Sequence, residues 1–208
     1  MKTIILLALG IIFLVLLVLS KGKKALSYTL FAGRHGERAV RRELRRLGSE
    51  YTVLDDLMLR DGGFTCQIDH VVLSPYGIFI IETKNFSGIV TGDDEWKEWY
   101  WKSKGFQKRI YSPVLQNLRH REVLEKVLGL KEIFFIPVVV FAGSAYIRVK
   151  TSYAVLFLSQ LVPFINIFTS QRLSEAHVNR CVNILQQSNI TDKEAREQHI
   201  RNVKRIKL

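Results

Sequence analysis

The amino-acid sequence predicts an α/β fold with a mixed central sheet flanked by helices, preceded by one transmembrane helix. The first observation is that the N-terminal segment at residues 3–20 contains no charged side chain. The second comes from the remainder of the 208-residue chain, where short apolar runs of strand length alternate with segments of helical apolar spacing. This alternation favours one mixed domain of roughly 180 residues behind the apolar segment.

The apolar segment at residues 3–20 is long enough to span a bilayer once. About 18 residues at about 1.5 Å each make a helix of about 27 Å, close to the thickness of the hydrocarbon core. A lysine-rich flank follows at residues 21–24, so the positive-inside rule places the larger part of the chain in the cytoplasm, anchored to the cell membrane by a single pass. A cleaved secretory signal is the alternative, although the run is long for one and lacks an Ala-x-Ala-like site. We expect an anchor with its basic flank at residues 1–24 and a linker at residues 25–32.

The first helix of the domain is predicted at residues 33–47. Val40 and Leu44 recur there at helical spacing, and a glycine follows as a stop signal. A short strand is expected at residues 51–59, because apolar residues recur in that run and a Gly-Gly turn follows it.

Two apolar runs, residues 66–73 and 78–84, flank a loop at residues 74–77 and predict a hairpin. The second run is apolar at successive positions up to Glu82, as expected for a central strand that is buried on both faces. With a four-residue loop, Leu73 pairs with the first residue of the second run.

This register places Asp69 opposite Glu82 and Gln67 opposite Lys84, with all four side chains on one face. Two carboxylates directly opposite each other destabilise a sheet, and a bound divalent cation is the simplest compensation. We expect Asp69 and Glu82 to hold Mg²⁺ or Mn²⁺ through oxygen ligands. Lys84 is expected to position an attacking water and compensate phosphate charge, and Gln67 to hydrogen-bond that water or a phosphate. The alternative is a salt-bridge network at the strand end.

The later elements follow from the same patterns. Pro113 opens the next helix, a continuous apolar run marks the next long strand, and the C-terminal tail is basic and helix-permissive. The predicted elements are strands at 89–91 and 95–105, a helix at 115–128, strands at 133–142 and 153–158, a helix at 174–187 and the tail at 191–208.

An ordered set of motifs resembles the nuclease-related domain (NERD) family over about residues 33–142. The motifs are Gly36-Glu37, Gln67-Ile68-Asp69-His70, the run from Ser74 to Asn85, Gly88, and Ser112-Pro113-Val114-Leu115-Gln116-Asn117. The resemblance implies a restriction-endonuclease-like fold of the PD-(D/E)xK superfamily and a role in DNA or RNA processing. It matches Glu37 to the helix carboxylate, Asp69 to the metal-binding aspartate, and Glu82-Thr83-Lys84 to the E-x-K element. A carboxylate in the first turn of a helix is the alternative explanation for Glu37. The nuclease-like core is expected at residues 33–145, completed by residues 146–208.

The net charge of +12 indicates an anionic partner, either nucleic acid or the inner membrane leaflet. Aromatic residues near position 100 are interleaved with lysines and are candidates for base stacking, although a half-buried strand gives the same alternation. The candidate nucleic-acid contacts are Lys97, Lys102 and Lys104 in this segment, and Gln116 and Asn117 at the start of the following helix. DNA is favoured over RNA.

The remaining candidates are expected to be structural. His70 should point away from the carboxylate face as a packed or hydrogen-bonded side chain, and Cys66 and Cys181 should be small buried residues. The leading functional hypothesis is a membrane-anchored, metal-dependent nuclease. A non-catalytic nucleic-acid-binding module and a lipid-binding scaffold remain open.

Overall fold

The computed structural model describes residues 33–206, with the backbone alone for residues 203–206. Contacts divide the chain into two units, Met1–His35 and Gly36–Leu208, and both sheets belong to the second unit. The membrane span expected at residues 3–20 lies outside the described residues. Among the helices that are described, none is long and apolar enough to cross a membrane.

Strands and helices alternate along the described chain, beginning with helix α1, whose described part covers residues 33–44. The further elements are β1 (Thr52–Asp61), β2 (Phe64–Ser74), β3 (Gly77–Lys84), β4 (Gly88–Asp93), β5 (Glu98–Ser103), β6 (Phe106–Tyr111), α2 (Pro113–Leu128), β7 (Phe135–Phe141), β8 (Ala145–Lys150), β9 (Ala154–Phe157), α3 (Leu161–Asn166), α4 (Glu175–Ser188) and α5 (Lys193–Ile206). Short 3₁₀ turns precede β7 and α3. The sequence prediction lacks β6, β8 and α3. In β6 no residue is buried, and three polar residues separate Phe106 from Ile110, so no regular alternation of a strand is visible.

The strands form two mixed sheets, which corrects the expectation of a single central sheet. The first has the order β1-β2-β3-β7-β9, antiparallel from β1 to β3 and parallel from β3 to β9. The second has the order β6-β5-β4-β8, with β4 and β8 parallel. The predicted register of the hairpin is confirmed, since Leu73 pairs with Ile78, and β3 is the central strand of the first sheet.

The second sheet continues the parallel pair of the first. Lys84 pairs with Phe141 at the end of β3 and β7, and Gly88 pairs with Ala145 at the start of β4 and β8. The segment from β3 to β4 and the segment from β7 to β8 therefore pass side by side from the first sheet to the second. Gly143 lies in this crossing, where a Cβ would collide with the main chain of the neighbouring crossing, so the two segments can only approach because this residue has no side chain.

Three apolar clusters hold the sheets and helices together. One face of the first sheet packs against α2 and α4, and the other face packs against α1 and α3. A third cluster joins the second sheet to β7 and to the start of α2. Because β3 contributes Ile80 to the first cluster and Phe79 to the second, it is buried on both faces, as the sequence predicts. Each such side chain contributes about 1.5–3 kcal/mol to folding.

Candidate active site

The candidate site lies where β2 and β3 separate. Their ladder runs from Ser74 and Gly77 as far as His70 and Ile81. At the next position the Asp69 side chain, rather than its main chain, receives the hydrogen bond, because the Thr83 N–H donates to Asp69 Oδ2 at 2.8 Å. The carboxylate thus bridges the opening between the two strands.

Strand β1 is irregular at the same level. Asp56 lies across from Asp69, is skipped in the pairing of β1 with β2, and has a φ of 53°. Ile68 and Val71 pack into one cluster although they are three residues apart, a spacing that places side chains on opposite faces of a regular strand. Left-handed conformations in non-glycine residues are uncommon and concentrate at functional sites. The break in regular alternation therefore coincides with the candidate site.

Glu82 is held in a closed set of hydrogen bonds. Its side chain is 2% exposed. Lys84 Nζ donates to Glu82 Oε1 at 2.6 Å, and Gln116 Nε2 donates to Glu82 Oε2 at 2.9 Å. Lys84 Nζ also donates to Gln116 Oε1 at 3.0 Å, which closes the ring. Each of the three side chains thereby fixes the orientation of the other two.

Asp69 lies in an environment that resists its ionisation. Burial raises the pKa of Asp69 well above its usual range, and the neighbouring Glu82 carboxylate raises it further. The Thr83 N–H and the Lys84 ammonium lower the pKa of Asp69, whereas Glu37 raises it again. The charges of Glu37, Glu82 and Lys84 therefore all act on one buried carboxylate.

Glu37 reaches this site because α1 lies close to the end of β3. A Cβ at Gly36 would lie 2.8 Å from Asn85 Cβ and 3.2 Å from Thr83 Cγ2. Only a residue without a side chain permits this approach of helix and strand. Gly36 thus lets α1 contact the end of β3, and this contact places the carboxylate of Glu37 near the site.

His120 also borders the site and is absent from the sequence prediction. Its Nδ1 lies 3.6 Å from Glu82 Oε2 and has no hydrogen-bond partner. Burial lowers the pKa of His120 below its ordinary value, although the Glu82 carboxylate opposes this effect, so the ring is neutral at pH 7. The sequence could have indicated His120, because it follows the candidate Gln116 by four residues and positions i and i+4 share a helix face.

The structure gives two candidates different positions from those expected. Gln67 does not pair with Lys84; it pairs with Met58, and its Nε2 donates to Asp56 Oδ1 at 2.7 Å. Asn117 is fully buried and donates to the carbonyls of Ile80 and Val138 at 2.8 and 3.0 Å. It ties β3 to β7, which corrects the expectation that it contacts a nucleic acid directly.

The lysine candidates belong to the second sheet and its turns. Lys97 precedes β5, Lys102 lies within β5, and Lys104 lies in the β5–β6 turn with a φ of 47°. All three are exposed. Of the aromatic residues among them, Trp99 is fully buried, which favours the half-buried strand that the sequence left as an alternative.

His70 and Cys181 are buried, as expected, whereas Cys66 is only partly buried. His70 is buried, and its Nδ1 lies 2.6 Å from Asp55 Oδ1, on the face opposite Glu82. Cys66 and Cys181 are free thiols that pack into one apolar cluster. Burial raises the pKa of Cys66 to about 12, which leaves its thiol unreactive at neutral pH.

The side chains of the site suit a hard cation that shares its coordination with other oxygens. Within residues 33–206 no three His, Cys, Asp or Glu side chains converge closely enough to hold a metal ion by themselves. Asp69 and Glu82 nevertheless offer two carboxylates whose mutual repulsion a divalent cation would relieve. Oxygen donors of this kind select Mg²⁺ or Mn²⁺ over softer metals. Such an ion would depend on main-chain, water and substrate oxygens for its remaining ligands.

The fold and the site define a mixed α/β protein with an acidic, lysine-containing centre at the separation of two central strands. The chain belongs to the nuclease-related domain (NERD) family, which matches residues 32–142. It is also similar to a protein of Bacillus anthracis described as uncharacterized, with 26% identity over 179 residues that cover 81% of this chain and 82% of that protein. No solved structure matches the chain significantly. The NERD match includes every residue of the site from Glu37 to His120.

Proposed function

We propose that this protein is a metal-dependent nuclease of the PD-(D/E)xK type that hydrolyses phosphodiester bonds. The observation that carries the proposal is the position of Asp69, whose carboxylate bridges the strand opening under the combined charges of Glu37, Glu82 and Lys84. A buried carboxylate with a raised pKa beside a second carboxylate destabilises the folded state when it is ionised, and such arrangements concentrate at functional sites. Membership of a nuclease-related family supports a nucleic-acid substrate.

Each side chain of the site has a separate role in the proposed hydrolysis. Asp69 and Glu82, with the Thr83 carbonyl, would hold Mg²⁺ or Mn²⁺, which supplies charge stabilisation at the phosphorus centre when bound. The Lys84 ammonium balances phosphate charge and orients the attacking water, and its side chain is 18% exposed and so accessible from the site opening. Gln116 holds both Lys84 and Glu82 in place through its amide. Glu37 adds a further acceptor for water.

Cleavage by the purified full chain tests this proposal. We expect DNA or RNA to be cut with Mg²⁺ or Mn²⁺, and cutting to fall by at least about 100-fold in Asp69→Asn, Glu82→Gln and Lys84→Met, since each removes a charge that acts on the reacting phosphate. Glu132→Gln is the matched control, because Glu132 is 66% exposed and pairs with Arg121 away from the site. Equal cleavage by all four variants would refute the active-site assignment.

A non-catalytic nucleic-acid-binding module is the second candidate. It is favoured by the hydrogen bonds of Glu82, whose two oxygens are both occupied by side chains of the protein itself. A site of this kind is stable without a cation. This alternative predicts binding that weakens with salt, because phosphate contacts release counterions, and that is the same in EDTA and in Mn²⁺.

We also propose that residues 3–20 anchor the protein in the cell membrane with the domain in the cytoplasm. The support is the uncharged run itself and its lysine-rich flank. The full chain should stay in the membrane fraction after alkaline carbonate washing, and a chain lacking residues 1–24 should not. Release of the full chain by the wash would contradict the anchor.

A further inference from the structure

The second sheet presents an open face that the proposed nuclease mechanism does not use. Its inner face packs Val90 and Trp99 into the cluster shared with the first sheet. Strand alternation directs the neighbouring side chains outward, where Ile89 is 36% exposed, Tyr100 39% and Tyr146 61%. We call this surface the outer face. None of the described helices packs against it.

The outer face is shaped as a shallow groove rather than a flat surface. The groove encloses about 400 Å³ and is lined by Ile89, Thr91, Tyr100, Lys102, Gln107 and Arg148. The register aligns these residues in two rows, because Lys102 pairs with both Ile89 and Gln107, and Thr91 pairs with both Tyr100 and Arg148. Each row thus runs across at least three strands at the inter-strand spacing of about 4.8 Å.

Cations lie beside the exposed rings. The Arg148 guanidinium lies 5.1 Å from the centroid of the Tyr146 ring. Within residues 33–206 neither Lys102 nor Arg148 forms an ion pair, whereas Arg109 at the far edge pairs with Glu98 at 3.1 Å. Two positive charges and the Tyr100 ring therefore line the groove. The Tyr146 ring lies beside it on the same face, with the Arg148 guanidinium over one side of the ring.

This combination matches an unpaired nucleic-acid strand. Exposed rings stack on bases whose faces are free, which excludes the paired bases of a duplex, and interleaved cations contact the phosphates. A lipid surface would be met by a broad apolar patch, whereas the lining of the groove includes the polar side chains of Thr91 and Gln107 and the cations of Lys102 and Arg148. Shape and polarity thus favour a strand over a membrane.

One end of the outer face lies near the candidate active site. Ile89 follows Lys84 by five residues, which limits their separation to about 18 Å. Tyr146 follows Phe141 by the same number, and Phe141 is the pairing partner of Lys84. A strand lying in the groove therefore has its end within a short reach of the site.

We propose that the outer face binds single-stranded nucleic acid, with bases stacked on Tyr100 and Tyr146 and phosphates held by Lys102 and Arg148. The inference rests on the proposed nuclease function and names its substrate class. Such a surface delivers a strand to the site without reading its sequence, because every base has a face that can stack.

Binding of the full chain in detergent micelles tests the proposal, with EDTA present so that no substrate is cut. The probes are a fluorescent oligothymidylate, a blunt duplex of equal length, and glycerophosphoserine as the soluble headgroup of an anionic lipid. We expect the oligothymidylate to bind more tightly than the duplex, and Tyr100→Ala and Tyr146→Ala each to weaken it by about 10-fold. Tyr146→Phe should bind as the wild type does, because it keeps the ring.

Two further variants separate charge from stacking. Lys102→Ala combined with Arg148→Ala should reduce the slope of log affinity against log salt by about 1.4, from two lost phosphate contacts on a single strand. Tyr153→Ala is the matched control, because Tyr153 is 37% exposed and lies outside the strands of the second sheet. Unchanged oligothymidylate binding in the Tyr100 and Tyr146 variants would overturn the proposal, and so would a selective loss of glycerophosphoserine binding in them.

The results can refute the outer-face proposal and the nuclease proposal separately. If Asp69→Asn abolishes cleavage while the outer-face variants bind and cut single strands as the wild type does, the outer-face proposal is wrong and the nuclease assignment stands. If the outer-face variants lose binding while Asp69→Asn still cuts, the outer-face proposal stands and the active-site assignment is wrong.

Discussion

Two aspartates on the first sheet show how position decides what a carboxylate does. Burial raises the pKa of Asp55, but the hydrogen bond from His70 and the nearby Arg41 outweigh it, so the pKa is lowered overall. Asp69 lies one pairing position away from this cluster, and burial together with Glu82 raises its pKa well above the usual range. The protein thus stabilises the charge of one aspartate and destabilises the charge of the other. This contrast supports the proposed role of Asp69 in the site and a structural role for Asp55.

The raised pKa of Asp69 predicts an unusual effect on stability. The folded state binds the Asp69 proton more tightly than the unfolded state does. The stability that protonated Asp69 contributes is therefore fully present below about pH 4 and is lost as pH rises through the pKa of Asp69 in the folded state. Without a cation, Asp69→Asn should therefore raise Tm at pH 7 by about 2 °C or more, measured by differential scanning calorimetry. The gain should disappear as pH falls towards 4.

Asp55→Asn is the matched control, with the opposite sign. The lowered pKa of Asp55 contributes stability above about pH 4 and loses it as pH falls, so its removal should lower Tm at pH 7. Mn²⁺ should raise the Tm of the wild type and leave Asp69→Asn unchanged, because a ligand stabilises only the state that binds it. A lower Tm at pH 7 for both variants in EDTA would contradict the electrostatic account of the site.

At the scale of elements, the site depends on how closely two helices reach the first sheet. Helix α1 approaches the end of β3 through Gly36, and α5 is tied to β1 through Arg196. Arg196 donates to Asp56 Oδ2 at 2.6 Å and to the Asp56 carbonyl at 2.9 Å, which holds the left-handed residue across from Asp69. The Asn189 side chain also accepts the Met58 N–H on the outer edge of β1. The C-terminal segment therefore supports the site from outside the family match.

Gly36→Ala tests the role of the close approach of α1. Helix propensity alone favours alanine by about 0.5–1 kcal/mol. The added Cβ would nevertheless meet Asn85 Cβ, which cannot move without the backbone, and we expect a net loss of about 1–3 kcal/mol in the free energy of unfolding. Cleavage should also fall, because Glu37 moves with the helix. Chemical denaturation and a cleavage assay measure the two effects.

Gly63→Ala is the control for this substitution. A Cβ at Gly63, in the turn between β1 and β2, would meet nothing within 4 Å. It should leave both stability and cleavage within about 0.5 kcal/mol of the wild type, as surface changes usually do. If Gly36→Ala behaves like Gly63→Ala, the approach of α1 does not place Glu37.

At the scale of the whole molecule, two sheets share one pair of crossing strands and one apolar cluster. The parallel pair β3 and β7 continues as β4 and β8, and Trp99 of the second sheet packs with Val139 and Phe141 of the first. If either sheet unfolds, apolar residues of the other sheet in this cluster become exposed to water. We therefore expect the two sheets to unfold together.

Gly92→Ala tests this cooperativity from the second sheet. A Cβ at Gly92 would collide with the Trp99 ring, which is fully buried and has no space to move into. We expect a loss of about 1–3 kcal/mol in the free energy of unfolding. Tryptophan fluorescence and far-ultraviolet circular dichroism should still give coincident thermal transitions. Two separated transitions would show that the sheets are independent.

The site was predictable from sequence where its residues are close along the chain. The hairpin places Asp69 and Glu82 on neighbouring strands because the predicted pairing of Leu73 with Ile78 holds, although the turn has two residues, Pro75 and Tyr76, rather than the expected four. Gln116 was a candidate nucleic-acid contact, but its hydrogen bonds to Glu82 and Lys84 span more than 30 residues, and no local pattern encodes them. The change of partner at Gln67 follows from the irregular Asp56, whose left-handed backbone no periodicity reveals.

The sequence by itself determined the alternation of strands and helices, the register of the central hairpin, and membership of the nuclease-related family, and it named the acidic and basic residues that are proposed for the site. Apolar periodicity and short turns act between residues near each other in the chain, so they are legible without a structure. Only the tertiary structure decided that there are two sheets, that Asn117 is a buried tie, that His120 borders Glu82, and that the outer face is open. These outcomes depend on which surfaces pack against each other, and that choice is made by burial of the whole chain.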